Sequence, residues 1–181
     1  MMQRALLLLA VLPGCQRAEI IDRIVVSVGN QVVTASEVRR DIQMAAFLNG
    51  VEPDFSPDSR HKATERLIEQ KLIRKEIEVG RYPGPSAAET DPLLQQVREQ
   101  RFQSNEEYLQ ALQKYGISEP DLKAQLLWQL TLLRFIDFRF RVPGETASGA
   151  QANQVIDKQM DIWLKEARAR TRIEYRPEPT S

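Results

Sequence analysis

The period of the apolar positions changes along the chain, and each change marks an element. Ile24, Val26 and Val28 alternate with Arg23, Val25 and Ser27, a period of two in β-branched residues that predicts a strand. Gly29-Asn30 supplies a two-residue hairpin turn with glycine first, as a type II′ turn prefers, and residues 31–33 return as a second strand. Thr34-Ala35-Ser36-Glu37 is a capping box that starts a helix at once. Val38, Ile42, Ala45 or Ala46, and Leu48 give that helix one apolar side, and it stops near Asn49-Gly50. Two strands alone are marginal in water, so the hairpin needs a further strand or a covering helix.

Four more helices follow before a small-residue linker. Asp58 or Ser59 is the expected cap of a helix through Val79, with Ala63, Leu67, Ile68, Leu72, Ile73 and Ile77 over a broad arc. Residues 80–85 (GRYPGP) end it. Residues 86–102 suggest a helix whose true start falls after Asp91, because Pro92 suits a first turn and not an interior. Ser104-Asn105-Glu106-Glu107 reads as a second capping box, opening a short helix with Tyr108, Leu109, Leu112 and Tyr115 that Gly116 stops. Residues 118–141 form the most apolar helix, about 35 Å long at 1.5 Å per residue. Ser118 caps it, and Pro120 and Asp121 fit its first turn. Its leucines and aromatics cover most of the circumference, so it is either wrapped by the rest of the chain or offers a surface to a partner. Lys123, Arg134, Asp137, Arg139 and Arg141 make it too polar to span a membrane. Packing demands from the hairpin and the neighbouring helices make it mainly core, with the segment holding Phe135, Phe138 and Phe140 as the exposed end.

Residues 142–151 are a linker, and residues 152–170 are a closing helix with Ile156, Met160, Trp163 and Ala167 at helical spacing. Residues 171–175 then read as a short strand with Ile173 and Tyr175 on one side. That strand is the natural third partner of the hairpin. The fold expected is therefore mainly α, with a small antiparallel sheet joining the two ends of the domain. The body runs over residues 19–176, and residues 177–181 are a tail.

Composition narrows the chemistry. The 25 basic and 25 acidic residues balance, which argues against a nucleic-acid partner. One Cys and one His exclude an internal disulfide and make a Cys/His metal site unexpected. His61, between Arg60 and Lys62, reads as a solvated polar position. Glu106 and Glu107 favour a helix N-terminus, and Asp157 and Asp161 are an i,i+4 pair relieved by Lys158 and Lys165. No cofactor is expected, and no glycine loop of the phosphate-binding kind occurs, so no nucleotide is expected either.

Residues 1–18 read as a secretory signal: basic Arg4, a short apolar run over residues 5–12, then Pro13-Gly14. Cleavage after Ala18 leaves Glu19 first. Alternatively, Leu12-Pro13-Gly14-Cys15 resembles a bacterial lipobox with Cys15 lipidated, the one route by which a membrane anchor is expected.

Residues 20–38 (IIDRIVVSVGNQVVTASEV), 66–73 (RLIEQKLI), the capped apolar helix and residues 163–175 (WLKEARARTRIEY) resemble the N-terminal peptide-binding domain of SurA-type periplasmic chaperones. The resemblance covers nearly all of the chain after residue 18. It implies a multi-helical trigger factor/SurA-like peptide-binding fold in the periplasm. Its expected partners are unfolded polypeptides, including outer-membrane β-barrel precursors. Members usually carry one or two parvulin-type prolyl isomerase domains before the last helix. Here that place is residues 142–151, too short for one, so no enzyme activity is expected. The alternatives are an isomerase-type foldase and a structural or lipid-anchored envelope protein. The aromatic excess supplies the candidate peptide-binding residues: Phe47, Phe102, Tyr108, Tyr115, Trp128, Phe135, Phe138 and Phe140.

Overall fold

The structure is a computed structural model and describes residues 22–141 and 150–177. The signal segment, Cys15, the linker over residues 142–149 and the tail from residue 178 lie outside the described residues. Strands β1 (Ile24–Val28) and β2 (Gln31–Thr34) precede helices α1 (Ala35–Asn49) and α2 (Pro57–Gly80). A 3₁₀ turn (Ala87–Thr90) leads into α3 (Asp91–Arg101), α4 (Asn105–Tyr115) and α5 (Glu119–Phe140). Helix α6 (Ala150–Arg170) and strand β3 (Ile173–Tyr175) close the fold. It is mainly helical, with one small antiparallel sheet in the order β2-β1-β3.

The hairpin turns at Gly29, whose φ of 61° is a conformation glycine takes without steric cost. Val28 pairs with Gln31 across it. The third strand lies on the free edge of β1, where Val26 faces Tyr175 and Val28 faces Ile173. Alternation in β1 is not uniform. The register shifts between Ile24 and Val26, so Val25 is an extra residue in the ladder. Val26 and Val28 are buried, whereas Ile24 is 39% exposed: the bulge breaks the single apolar face that the spacing predicts.

Local chemistry sets most helix starts. The Thr34 hydroxyl accepts from the Glu37 N–H while the Glu37 carboxylate accepts from the Thr34 N–H, a complete capping box. Ser118 and Asp121 form another at α5. At α4 only half of the expected box forms. Ser104 accepts from the Glu107 N–H, but Glu107 turns to the Gln103 N–H at 2.7 Å. Helix α2 starts earlier than Asp58 or Ser59. Ser56 is its cap, because Pro57 has the fixed φ and the missing N–H that a first helical position wants. At its other end the helix runs through Gly80, and Arg81 takes the left-handed turn at φ 51°. A Cβ at Gly80 would lie 2.3 Å from the Tyr82 ring, so glycine there lets that ring fold back.

Two cores result. The sheet core joins Val26, Val28 and Val33 to Val38 and Ile42 of α1, the apolar arc of α2, Phe135 of α5, and Trp163 and Ala167 of α6. The helical core joins Met44 and Phe47 of α1 to Leu94, Tyr108, Leu112, Ile117, Leu122 and Leu126. Helices α1 and α5 run through both. Ion pairs fix their neighbours: Lys123 to Asp91 at 3.0 Å, Arg134 to Glu89, and Arg98 to Glu119.

Candidate functional site

Helix α5 is less enclosed than the packing argument predicts. Of its 22 residues, Leu122, Leu126 and Phe135 alone are buried. Leu127, Trp128, Leu130, Leu132, Ile136 and Phe140 are half-buried, and Leu133 and Phe138 are 59% and 61% exposed. An all-round apolar helix needs neighbours on every side to be core, and α5 has them on some sides only. The reading of α5 as mainly core is corrected accordingly: it is half-embedded, and open toward its C-terminus.

The eight aromatic candidates do not share one surface. Phe47 and Tyr108 are buried in the helical core, where Phe102 and Tyr115 lie at its margin. Phe47 stacks on Phe102 at 6.0 Å and meets the edge of Tyr115 at 5.6 Å, and Phe102 meets Tyr108 at 5.5 Å. Phe135 is buried in the sheet core, enclosed by Tyr82, Phe140 and Trp163 at 5.4, 5.9 and 5.4 Å. Trp128 lies half-covered beneath the Arg74 guanidinium, 4.4 Å from the ring centre. Burial beside that ring moves Arg74 below its ordinary value. Phe138 is the one candidate that is mostly in solvent. The aromatic excess therefore builds cores at most positions, and stands out at one.

Other exposed apolar side chains complete the picture. Leu133 accompanies Phe138 on α5, Val155 and Ile162 are exposed on α6, and Leu109 on α4. Val155 and Ile162 are seven residues apart, two helical turns, and so lie on one side of α6. The signal for them was present in the sequence as apolar positions outside the Ile156, Met160, Trp163 and Ala167 stripe.

A second feature was not read from the sequence. A cavity of about 590 Å3 opens where β1, the first turns of α1 and α2, and the end of β3 converge. Val25 from the bulge, buried Val38 and Ile42, and Phe55 give it apolar walls. Arg23, Arg39, Arg60, His61 and Arg176 stand at its rim, so His61 is exposed, as its polar neighbours predict, but beside a cavity. Tyr175 also lines the cavity; its hydroxyl donates to Glu65, and Arg168 donates to Glu65 at 2.8 Å and to Glu69 at 3.1 Å. Burial and the adjoining Glu65 carboxylate push Tyr175 up to about 12. Burial alone would raise Glu65, but donation from Tyr175 and Arg168 leaves it below its ordinary value.

Among the described residues, no group of three His, Cys, Asp or Glu side chains could hold a metal ion. No described helix is long and apolar enough to cross a membrane. No family model and no curated protein matches the chain.

Proposed function

We propose that the chain is an exported, ATP-independent chaperone that holds unfolded polypeptides, outer-membrane β-barrel precursors among them, by their apolar segments. The observation that carries the reading is the half-embedded α5, with Leu133 and Phe138 held in solvent by a helix anchored at Leu122, Leu126 and Phe135. Exposed large apolar side chains on a stably packed helix suit a surface made for association. Val155 and Ile162 on α6 add to the apolar area. Binding removes apolar client surface from water at about 25 cal/mol per Å2, before the cost of ordering the client. No bond is made or broken, and no nucleotide is consumed. The resemblance of the hairpin, capping box and closing segment to SurA-type chaperones supports the same reading, as does the leader over residues 1–18 for a periplasmic location.

The test is aggregation of a denatured outer-membrane protein on dilution, with and without the chain lacking residues 1–18. Suppression at stoichiometric to several-fold excess is expected, and no protection at that excess contradicts the proposal. Mass spectrometry of the mature N-terminus separates cleavage after Ala18 from lipidation at Cys15.

A further inference from the structure

We infer that the cavity between β1, α1 and α2 binds an anionic amphiphile of small-molecule size, a single carboxylate or phosphate head on an apolar body. This goes beyond the proposed chaperone surface and involves different residues. The volume, about 590 Å3, falls in the range of about 300–1,000 Å3 typical of small-ligand sites.

Its lining has two parts. The floor is apolar: Val38 and Ile42 are buried, and Phe55 forms a wall. The Thr64 hydroxyl at the floor donates to the Arg60 carbonyl at 2.9 Å, which leaves the floor without a free donor. The rim is cationic, and among the described residues no carboxylate side chain lines the cavity. Two acids are held by lining residues, Asp22 by Ser36 and Glu65 by Tyr175, and so are already hydrogen-bonded. Asp22 accepts from the Ser36 N–H at 3.1 Å and from the Ser36 hydroxyl, and Glu65 accepts from Tyr175 and Arg168.

The arginines carry the argument. Among the described residues most arginines pair with a carboxylate: Arg66 with Asp41, Arg98 with Glu119, Arg134 with Glu89, Arg168 with Glu65. Among the described residues six arginines have no carboxylate partner in the ion pairs; Arg74 covers Trp128, Arg101 donates to the Phe47 carbonyl and Arg81 ends α2, whereas Arg39, Arg60 and Arg176 all line this one cavity. Arg39 instead lies over the Phe55 ring at 5.6 Å. In a chain with equal numbers of acids and bases, three unneutralised guanidinium groups around an apolar floor form a local excess that an anion would neutralise. Guanidinium is weakly hydrated and presents paired donors to a carboxylate or phosphate, so it suits such a head at a cavity mouth. The apolar floor then excludes a wholly polar ion as the best occupant.

Calorimetric titration of the chain lacking residues 1–18 with decanoate, decyl phosphate and decylammonium tests this, each below its micellar concentration. Decanoate or decyl phosphate is expected to bind at one site at least roughly tenfold tighter than decylammonium, a difference of about 1.4 kcal/mol. Arg39→Glu and Arg60→Glu, both at exposed positions, are expected to weaken the anion about tenfold with an unchanged far-ultraviolet circular dichroism spectrum. Arg60→Gln serves if charge reversal disturbs folding. Phe138→Ser is expected to leave anion binding unaltered. Equal binding of the three amphiphiles, full anion binding by the arginine variants, or loss of it in Phe138→Ser would overturn the inference.

Discussion

The two halves of α5 have similar composition and opposite fates. Leu122 and Leu126, near its start, are buried where α1, α3 and α4 supply Met44, Phe47, Leu94, Tyr108 and Leu112. Beyond Trp128 the helix keeps one deep anchor, Phe135, and sends Leu133 and Phe138 into solvent. What differs is how completely the neighbours cover each half. The first half lies among α3 and α4, which precede it directly in the chain, and the distant α1. The second packs Phe135 against Trp163 of α6 and the Tyr82 ring, and is tied by Arg139 to Glu76 of α2 and by Arg134 to Glu89, yet leaves Leu133 and Phe138 uncovered. Apolar sequence fixes what a helix side would gain by burial; the neighbouring elements decide whether it is buried. That uncovered side is where a holding surface can exist without weakening the fold.

Substitutions that break this comparison should rank by burial. Phe135→Ala removes a ring buried between Tyr82, Phe140 and Trp163, and is expected to cost about 3–5 kcal/mol in a urea melt. Leu122→Ala in the first half is expected to cost about 2–5 kcal/mol by the same measurement. If Phe135→Ala were neutral, the second half would have no anchor and the comparison would fail. Ser118→Ala removes the cap of the whole helix and is expected to cost about 1 kcal/mol.

A smaller effect sharpens the contrast from the sheet side, where Glu65 ties α2 to α6 and β3. Its carboxyl is lowered in the folded state, so the stability it contributes is present above its ordinary value of 4.5 and is lost as pH falls. Tyr175 is raised to about 12, so its contribution is present below its ordinary 10.0 and is lost as pH rises toward 12. Glu65→Gln is expected to flatten both limbs of the stability–pH curve, by less than about 1 kcal/mol each, because Tyr175 is half in solvent. Unchanged limbs in melts run from pH 3 to 12 would remove this tie from the account. Smallest of all, Leu133→Ser with Phe138→Ser is expected to change stability by less than about 0.5 kcal/mol.

Much of the fold was legible because its determinants are local. Thr34, Ser118 and Pro92 announce helix starts within a few residues, and Gly29 announces the hairpin. The third strand followed from need: two strands could not stand alone, and residues 171–175 were the remaining β-like stretch. Ser56 was missed because Asp58 and Ser59 are equally good caps, and Pro57 reads as loop until it is seen as the first helical residue. The extent of α5 burial was illegible for a different reason. An apolar position does not state how many elements will reach it, and Phe47, Tyr108 and Phe138 look alike in sequence while two are buried and one is exposed. The cavity was invisible because its lining comes from residues as far apart as Arg23 and Arg176.

The central claim is that Leu133 and Phe138 serve clients and not the fold. Its most direct test compares the chain with the Leu133→Ser, Phe138→Ser variant in one measurement: light scattering of a denatured outer-membrane protein diluted into either. The account predicts that the variant, folded and equally stable, loses most of the protection the unaltered chain gives. Full protection by the variant would contradict it.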